Sequence, residues 1–304
     1  MYRARRTTYN SFRSAGGIGN IVTQYRRPLI YAGVGLSVFY AANLEQVPLS
    51  HRYRFMIVPR WLELQVGAMS YRQVMGEFGS HMLPDNDPTT VRVRRIMERL
   101  IRAANSGVTP GGDSSTNSNE DIDWKIHVIA GPYPPNAFVL PGGKVFVFTS
   151  ILPICQNDAG LATVLSHELA HQECRHTAEN LSKSPIYMIL AALVYGIIGS
   201  AGIERILLET LVKLPASRKM ETEADYVGML IMAKACFDPS AAVGVWQRMV
   251  QMEQAQGMQT PEFLSTHPAS ERRIEDISSH LPEAKQIMAE NCAPSNDFWF
   301  SALR

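Results

Sequence analysis

The first 44 residues of this 304-residue chain contain no aspartate or glutamate, yet they hold six arginines: Arg3, Arg5, Arg6, Arg13, Arg26 and Arg27. Over the whole chain the formal net charge is only +1, so no global basic excess marks it as a nucleic-acid binder. Cysteine is scarce. Four residues (Cys155, Cys174, Cys236 and Cys292) are widely spaced with no CxxC, which argues against a zinc knuckle and a disulfide-stapled miniature fold and leaves any pairing open. Long apolar runs are few as well. Residues 28–44 and 187–202 are uncharged, but both fall short of the about 20 residues that span a bilayer. There is no internal repeat, and the length suits one catalytic domain with appendages.

Residues 1–27, MYRARRTTYNSFRSAGGIGNIVTQYRR, have the Arg- and Ser-rich, acid-free composition of a mitochondrial presequence. For PLIYAGVGLSVFYAANL at 28–44, a transmembrane anchor, a cleaved secretory signal and a buried helix all fit. The anchor is favoured, because the basic stretch ahead of it is longer than a secretory n-region. By the positive-inside rule its arginines then stay on the inner side and leave the C-terminal bulk across the membrane. Residues 45–123 are expected to be a helical connector, with helices over Glu63–Phe78 and Asp87–Ala103 and a flexible loop at 105–123. From 124 to 290 a single domain is expected. Trp124–Ile129 and Asn136–Thr149 read as strands, the latter split by Pro-Gly-Gly at 141–143, and helical patterning follows from Asn157. A tail occupies 291–304.

His167 to His171 reads HELAH. On a helix two histidines four apart share a face, so both imidazoles can meet one ion, and Glu168 beside them can take a proton from a water there. An amphipathic helix with two surface histidines is the plainer reading. Catalytic zinc takes three protein ligands, so a third must come from elsewhere. The long HExxHxxGxxH form fails, since Cys174 and Thr177 stand where Gly and His are required, and His176 reads as an ordinary surface or core histidine. Downstream, in LPASRKMETEADYVGML, Glu221 and Asp225 share a helix face. Glu221 suits the third ligand, and Asp225 suits a hydrogen bond that orients a ligand imidazole. A solvated acidic face is the other reading. Glu223 lies about 200° round the helix from Glu221, and replacing it is expected to leave metal retention unchanged.

HELAH, a long apolar stretch, SRKMETEAD and STHPASERRI, in that order, resemble the membrane-linked gluzincin peptidases that include the CaaX prenyl protease and the bacterial heat-shock protease HtpX. The resemblance covers residues 125–280. It implies an α+β, mainly helical zincin-like fold with a small sheet and an HExxH helix, here behind an N-terminal membrane anchor. It implies one zinc per chain on His167, His171 and Glu221, with Glu168 as general base. His267 would face the ligands across the site as an oxyanion donor, while Asp225, Arg218 (after Ser217) and Arg273 support the site. Asn136, Ala137, Phe138 and Val139 match a strand that holds substrate by its backbone, though an ordinary sheet strand reads the same way. The uncharged run at 187–202 fits a second span, a helix lying against the bilayer or a core helix. Its length is borderline for spanning, so an embedded or buried helix is expected. A single convincing span behind an Arg-rich leader is most similar to the mitochondrial inner-membrane branch of the family, in its fungal form. That branch implies a quality-control endopeptidase whose activity overlaps that of the matrix-facing AAA protease. Its catalytic domain would face the intermembrane space, act on membrane proteins, and work as a homo-oligomer without nucleic acid. The alternative is a bacterial-type periplasmic protease or chaperone, with residues 1–44 a signal segment.

Overall fold

The computed structural model describes residues 26–48, 50–107, 122–183, 218–256, 263, 267–268 and 270–292. The leader up to residue 25, most of the 105–123 loop, the apolar run at 187–202, Ser217 and the tail from 293 onward lie outside the described residues. The chain divides into two units, 1–44 and 45–304. In the first, helix α1 (Arg26–Ala42) runs for 17 residues, with Ile30, Val34, Leu36 and Val38 exposed. At 1.5 Å per residue that is about 26 Å, against about 30 Å of hydrocarbon. Among the described residues no helix is long and apolar enough to cross a membrane.

A two-stranded ladder, β1 (Leu44–Gln46) and β2 (Tyr53–Phe55), precedes helices α2 (Arg60–Phe78) and α3 (Pro88–Asn105). Asp87 starts α3: its Oδ1 accepts from the Thr89 amide at 2.8 Å, and Pro88 takes the first helical position. Val93, Ile96, Met97 and Leu100 recur at i, i+3, i+4 and i+7 and are buried in the main core. This packing makes α3 part of the same body as the later helices rather than a separate connector.

Strands β3 (Lys125–Ile129), β4 (Ala137–Leu140) and β5 (Lys144–Phe148) form one sheet in the order β3-β5-β4. Strand β4 is antiparallel to β5 through the tight turn at Gly142 and Gly143, both with positive φ, whereas β3 runs parallel to β5. Alternation along β5 sorts its side chains. Val145 and Val147 enter the main core, while Phe146 and Phe148 face a second, aromatic cluster with Tyr71 and Phe78 of α2 and Tyr133.

A short helical turn, α4 (Leu152–Cys155), leads to α5 (Asp158–Glu173), capped by Asn157 Oδ1 on the Gly160 amide at 2.9 Å. Helix α5 is buried on every side from Gly160 to Ala170, as a helix in the middle of a domain must be. Around it pack α6 (Arg218–Lys234), α7 (Ala241–Gln256) and α3, with α8 (Glu271–Cys292) against α6 and α7. A disulfide joins Cys236, just after α6, to Cys292 at the end of α8, while Cys155 and Cys174 are free and buried.

Candidate metal centre

Helix α5 carries His167, Glu168 and His171, and α6 brings Glu221 and Asp225 against them. The two helices cross closely because α6 has a glycine at the contact: a Cβ on Gly228 would lie 2.9 Å from the Ser166 carbonyl oxygen and 3.0 Å from the His167 amide. His167 Nε2 lies 3.1 Å from His171 Nε2, and Glu221 Oε2 and Oε1 lie 3.4 Å from those two nitrogens respectively. His267 joins the group, its Nδ1 3.1 Å from both Glu221 oxygens and 3.3 Å from His167 Nε2. Ligand atoms of all four residues lie within 4.8 Å of one another.

The donor set fits a divalent metal. Tetrahedral bonds of about 2.0–2.1 Å to nitrogen and oxygen place neighbouring donors about 3.3 Å apart, the spacing found here. The charge fits as well. Burial opposes a charged imidazole at His167, yet hydrogen bonds to Asp225 and Glu221 raise it to about 9. The two carboxylates thus draw positive charge to this point. Burial would push Glu221 up, but its hydrogen bonds from His167, His171 and His267 hold it well below the ordinary carboxylate range. Burial holds His171 well below its ordinary value, and burial raises Glu168. Glu168 Oε1 is buried without a hydrogen-bond partner among the described residues and lies 3.5 Å from His267 Nε2.

Asp225 Oδ1 lies 3.0 Å from His167 Nδ1, and Arg273 of α8 grips Asp225 through Nε and Nη2. Burial would raise Asp225, but the Arg273 charge outweighs it. Arg273 also reaches Glu221 Oε2 at 3.0 Å and donates from Nη1 to the Pro268 carbonyl at 3.2 Å, next to His267. Its guanidinium rests 3.7 Å over the Trp246 ring, and Phe263 stacks on the His267 ring at 4.9 Å. Nothing in the sequence singles out Trp246 or Phe263 as walls of the site.

Arg218 stands apart: it is exposed at the first residue of α6 and, among the described residues, bonds to none of the site. Ala137 to Val139 fall on β4, the edge strand of the sheet, with Asn136 immediately before it and β4 packed against α5. Asn136 and Ala137 are buried, and the Asn136 carbonyl accepts from the Phe148 amide. Two residues set aside on spacing belong to this neighbourhood. His176 is buried, with Nδ1 2.7 Å from His171 Nδ1, and Glu223 is buried against His176 at 2.8 Å. Helical phase does separate Glu223 from Glu221, yet it leads into the site by another route.

The model for peptidase family M48 matches residues 89–281. Mitochondrial metalloendopeptidase OMA1 of Saccharomyces cerevisiae is 46% identical over 272 residues, covering 88% of this chain and 78% of its own. The protein of the same name from Schizosaccharomyces pombe is 43% identical over 266 residues, covering 87% and 74%. The beta-barrel assembly-enhancing protease of Escherichia coli is 26% identical over 254 residues, covering 80% and 48%, so the bacterial alternative is the poorer fit.

Proposed function

This chain belongs to peptidase family M48 and is a metalloprotease, and on that footing we propose that it is a zinc-dependent endopeptidase anchored in the mitochondrial inner membrane. The catalytic reading is carried by the donor atoms of His167, His171 and Glu221, which meet at tetrahedral spacing with Glu168 beside them. Those three side chains would hold one zinc ion per chain. When bound, zinc supplies Lewis acidity and a water acidic enough to react near neutral pH. Glu168 accepts a proton from the attacking water at its unpartnered Oε1 and returns it to the departing amine nitrogen. His267 donates from Nε2 to the carbonyl oxygen as negative charge grows there. Asp225 keeps the proton of His167 on Nδ1, and Arg273 keeps Asp225 in place. The segment Asn136–Val139, entering edge strand β4, holds the substrate extended by backbone hydrogen bonds, reading side chains loosely.

The address rests on other features. The acid-free residues 1–27 support a presequence and the uncharged residues 28–44 an anchor, and the names of the two OMA1 relatives support a mitochondrial location. Arg26 and Arg27 then stay on the matrix side, and the catalytic domain faces the intermembrane space. Misfolded membrane proteins and their exposed loops are the substrates, and copies of the chain work as a homo-oligomer.

The test is degradation of an unfolded membrane protein by the full chain in a bilayer. Chelator is expected to stop it and zinc to restore it, while Glu168→Gln retains zinc without cleaving. Proteolysis that persists under chelation or in Glu168→Gln sinks the catalytic reading. Recovery of the chain outside mitochondria sinks the address.

A further inference from the structure

A ligating imidazole gives one ring nitrogen to the ion, and whatever the other nitrogen meets fixes its tautomer and aim. His167 turns Nε2 to the donor set and Nδ1 to Asp225. His171 also turns Nε2 inward, but its Nδ1 meets a second imidazole, Nδ1 of His176. Between two ring nitrogens 2.7 Å apart, one carries the proton and the other accepts it. If Nε2 of His171 keeps its lone pair for the ion, neutral His171 donates from Nδ1. His176 then accepts at Nδ1 and donates from Nε2 to Glu223 Oε2 at 2.8 Å. Glu223 also accepts from Arg52 Nε and Nη2, at 2.9 and 2.6 Å, and from the Ser50 hydroxyl. Arg52 completes its fork on Glu179. From His171 to Glu223 each ring N–H of the relay has an acceptor.

We infer that His176 is a positioning residue for the metal centre, holding the tautomer and aim of His171 with Glu223 and Arg52 braced behind it. This inference rests on the reading of His171 as a zinc ligand. It depends on a bend. In an unbroken helix the residue five places after His171 would sit about 140° round the axis. Helix α5 instead ends at Cys174, and Arg175 takes a left-handed φ of 50°, held by Glu63 Oε2 at 2.9 Å and the Val58 carbonyl at 3.1 Å. The turn brings His176 back to His171.

Cys174, His176 and Glu223 also lie close enough together to suggest a second metal site. The charges oppose it. Arg52 and Lys183 already balance Glu179 and Glu223, and Arg52 occupies the Glu223 oxygen that His176 shares. Burial also drives the Cys174 thiol well above its ordinary value, away from the thiolate a metal needs.

The experiment follows zinc retained per chain when the purified full-length protein is dialysed against graded chelator, with thermal unfolding recorded for each variant. His176→Phe is expected to weaken retention by about 10- to 100-fold. His176→Asn, whose Oδ1 can accept where Nδ1 did, is expected to recover most of that loss. Glu223→Gln, which breaks the Arg52 pairing, is expected to fall between wild type and His176→Phe, and it decides the matter if His176→Phe does not fold. Histidine ¹⁵N spectra of the folded variants add a readout independent of activity: His171 is expected to hold its proton on Nδ1 in wild type and to lose that preference in His176→Phe. Wild-type retention in His176→Phe, or equal losses in the Phe and Asn variants, overturns the relay. So does a wild type that binds two zinc ions and loses one in His176→Phe. A wild type that binds no zinc, or His171→Ala that binds it as wild type does, overturns the zinc reading itself.

Discussion

His167 is steadied by Asp225, which Arg273 clamps, whereas His171 is steadied by His176, then Glu223, then Arg52. The two arms end alike, in a carboxylate gripped by an arginine, and both carboxylates come from α6. They differ in length and in depth. The Arg273 side chain is 5% exposed and that of Arg52 is 21% exposed. They also differ in origin, since Arg273 lies near the end of the chain and Arg52 near the start of its second unit. Three acids within five residues of α6 thus have three jobs: Glu221 in the donor set, Asp225 on the short arm and Glu223 on the long one. One helix sets the geometry of both histidines, and the chain reaches it from both ends.

The sharpest separation of chemistry from scaffolding is Glu168→Gln, which touches neither arm. Turnover is expected to fall by about 10²–10⁴-fold, with zinc content and unfolding midpoint unchanged; loss of zinc here would mean Glu168 is part of the scaffold. Breaking the short arm comes next. Arg273→Met leaves Asp225 buried without its clamping cation and takes one cation from Glu221, and a loss of about 3–5 kcal/mol is expected in denaturant titrations. The long arm is expected to give less. Arg52→Met costs about 1–3 kcal/mol, because water reaches part of the arginine and Lys183 still holds Glu179. Equal losses from the two arginines would erase the distinction. Gly228→Ala strikes both arms together: a methyl against the Ser166 carbonyl pushes α6 from α5, for about 1–3 kcal/mol and a parallel drop in zinc retention.

The smallest effect is in pH. Burial would raise the Glu179 carboxyl, but Arg52 and Lys183 hold it below its ordinary value of 4.5. A carboxyl depressed in the folded state stabilises the fold above its unfolded value, and that stability drains away as pH falls below 4.5. Arg52→Met is expected to flatten this acid-side slope, read as unfolding midpoint against pH; an unchanged slope would remove Arg52 as its source.

The short arm was legible in the sequence as far as Asp225, where the steps are periodic, while Arg273 came only from the resemblance of STHPASERRI to the family's pattern. His167 and His171 are four apart, as are Glu221 and Asp225, and helix geometry turns those intervals into shared faces. The long arm was not, because His176 reaches His171 only through the bend at Arg175, and a left-handed arginine has no signature in composition. Helical phase was right to separate Glu223 from Glu221 and silent on what waited on the other side. Helices α2 and α3 were visible from their periodicity and, for α3, its cap. The parallel pairing of β3 with β5 was not, since strand patterning reports which face is buried and not which neighbour is taken. That α3 shares the main core is likewise a matter of packing that spacing does not express.

The disulfide between Cys236 and Cys292 bears on how the two arms come to exist. It spans 56 residues and encloses Trp246, Phe263, His267 and Arg273. Closing such a loop removes about 4 kcal/mol of entropy from the unfolded chain. With the loop closed, the bridge gives Arg273 a path to Asp225 shorter than the 48 residues of sequence between them, whereas Arg52 must find Glu223 across 171 residues of open chain. Contacts that close shorter loops form at lower entropic cost. The order of assembly should follow: the Arg273 clamp first, the Arg52 brace last, as pulse-labelled amide exchange during refolding of the oxidised protein would register in α8 and β2.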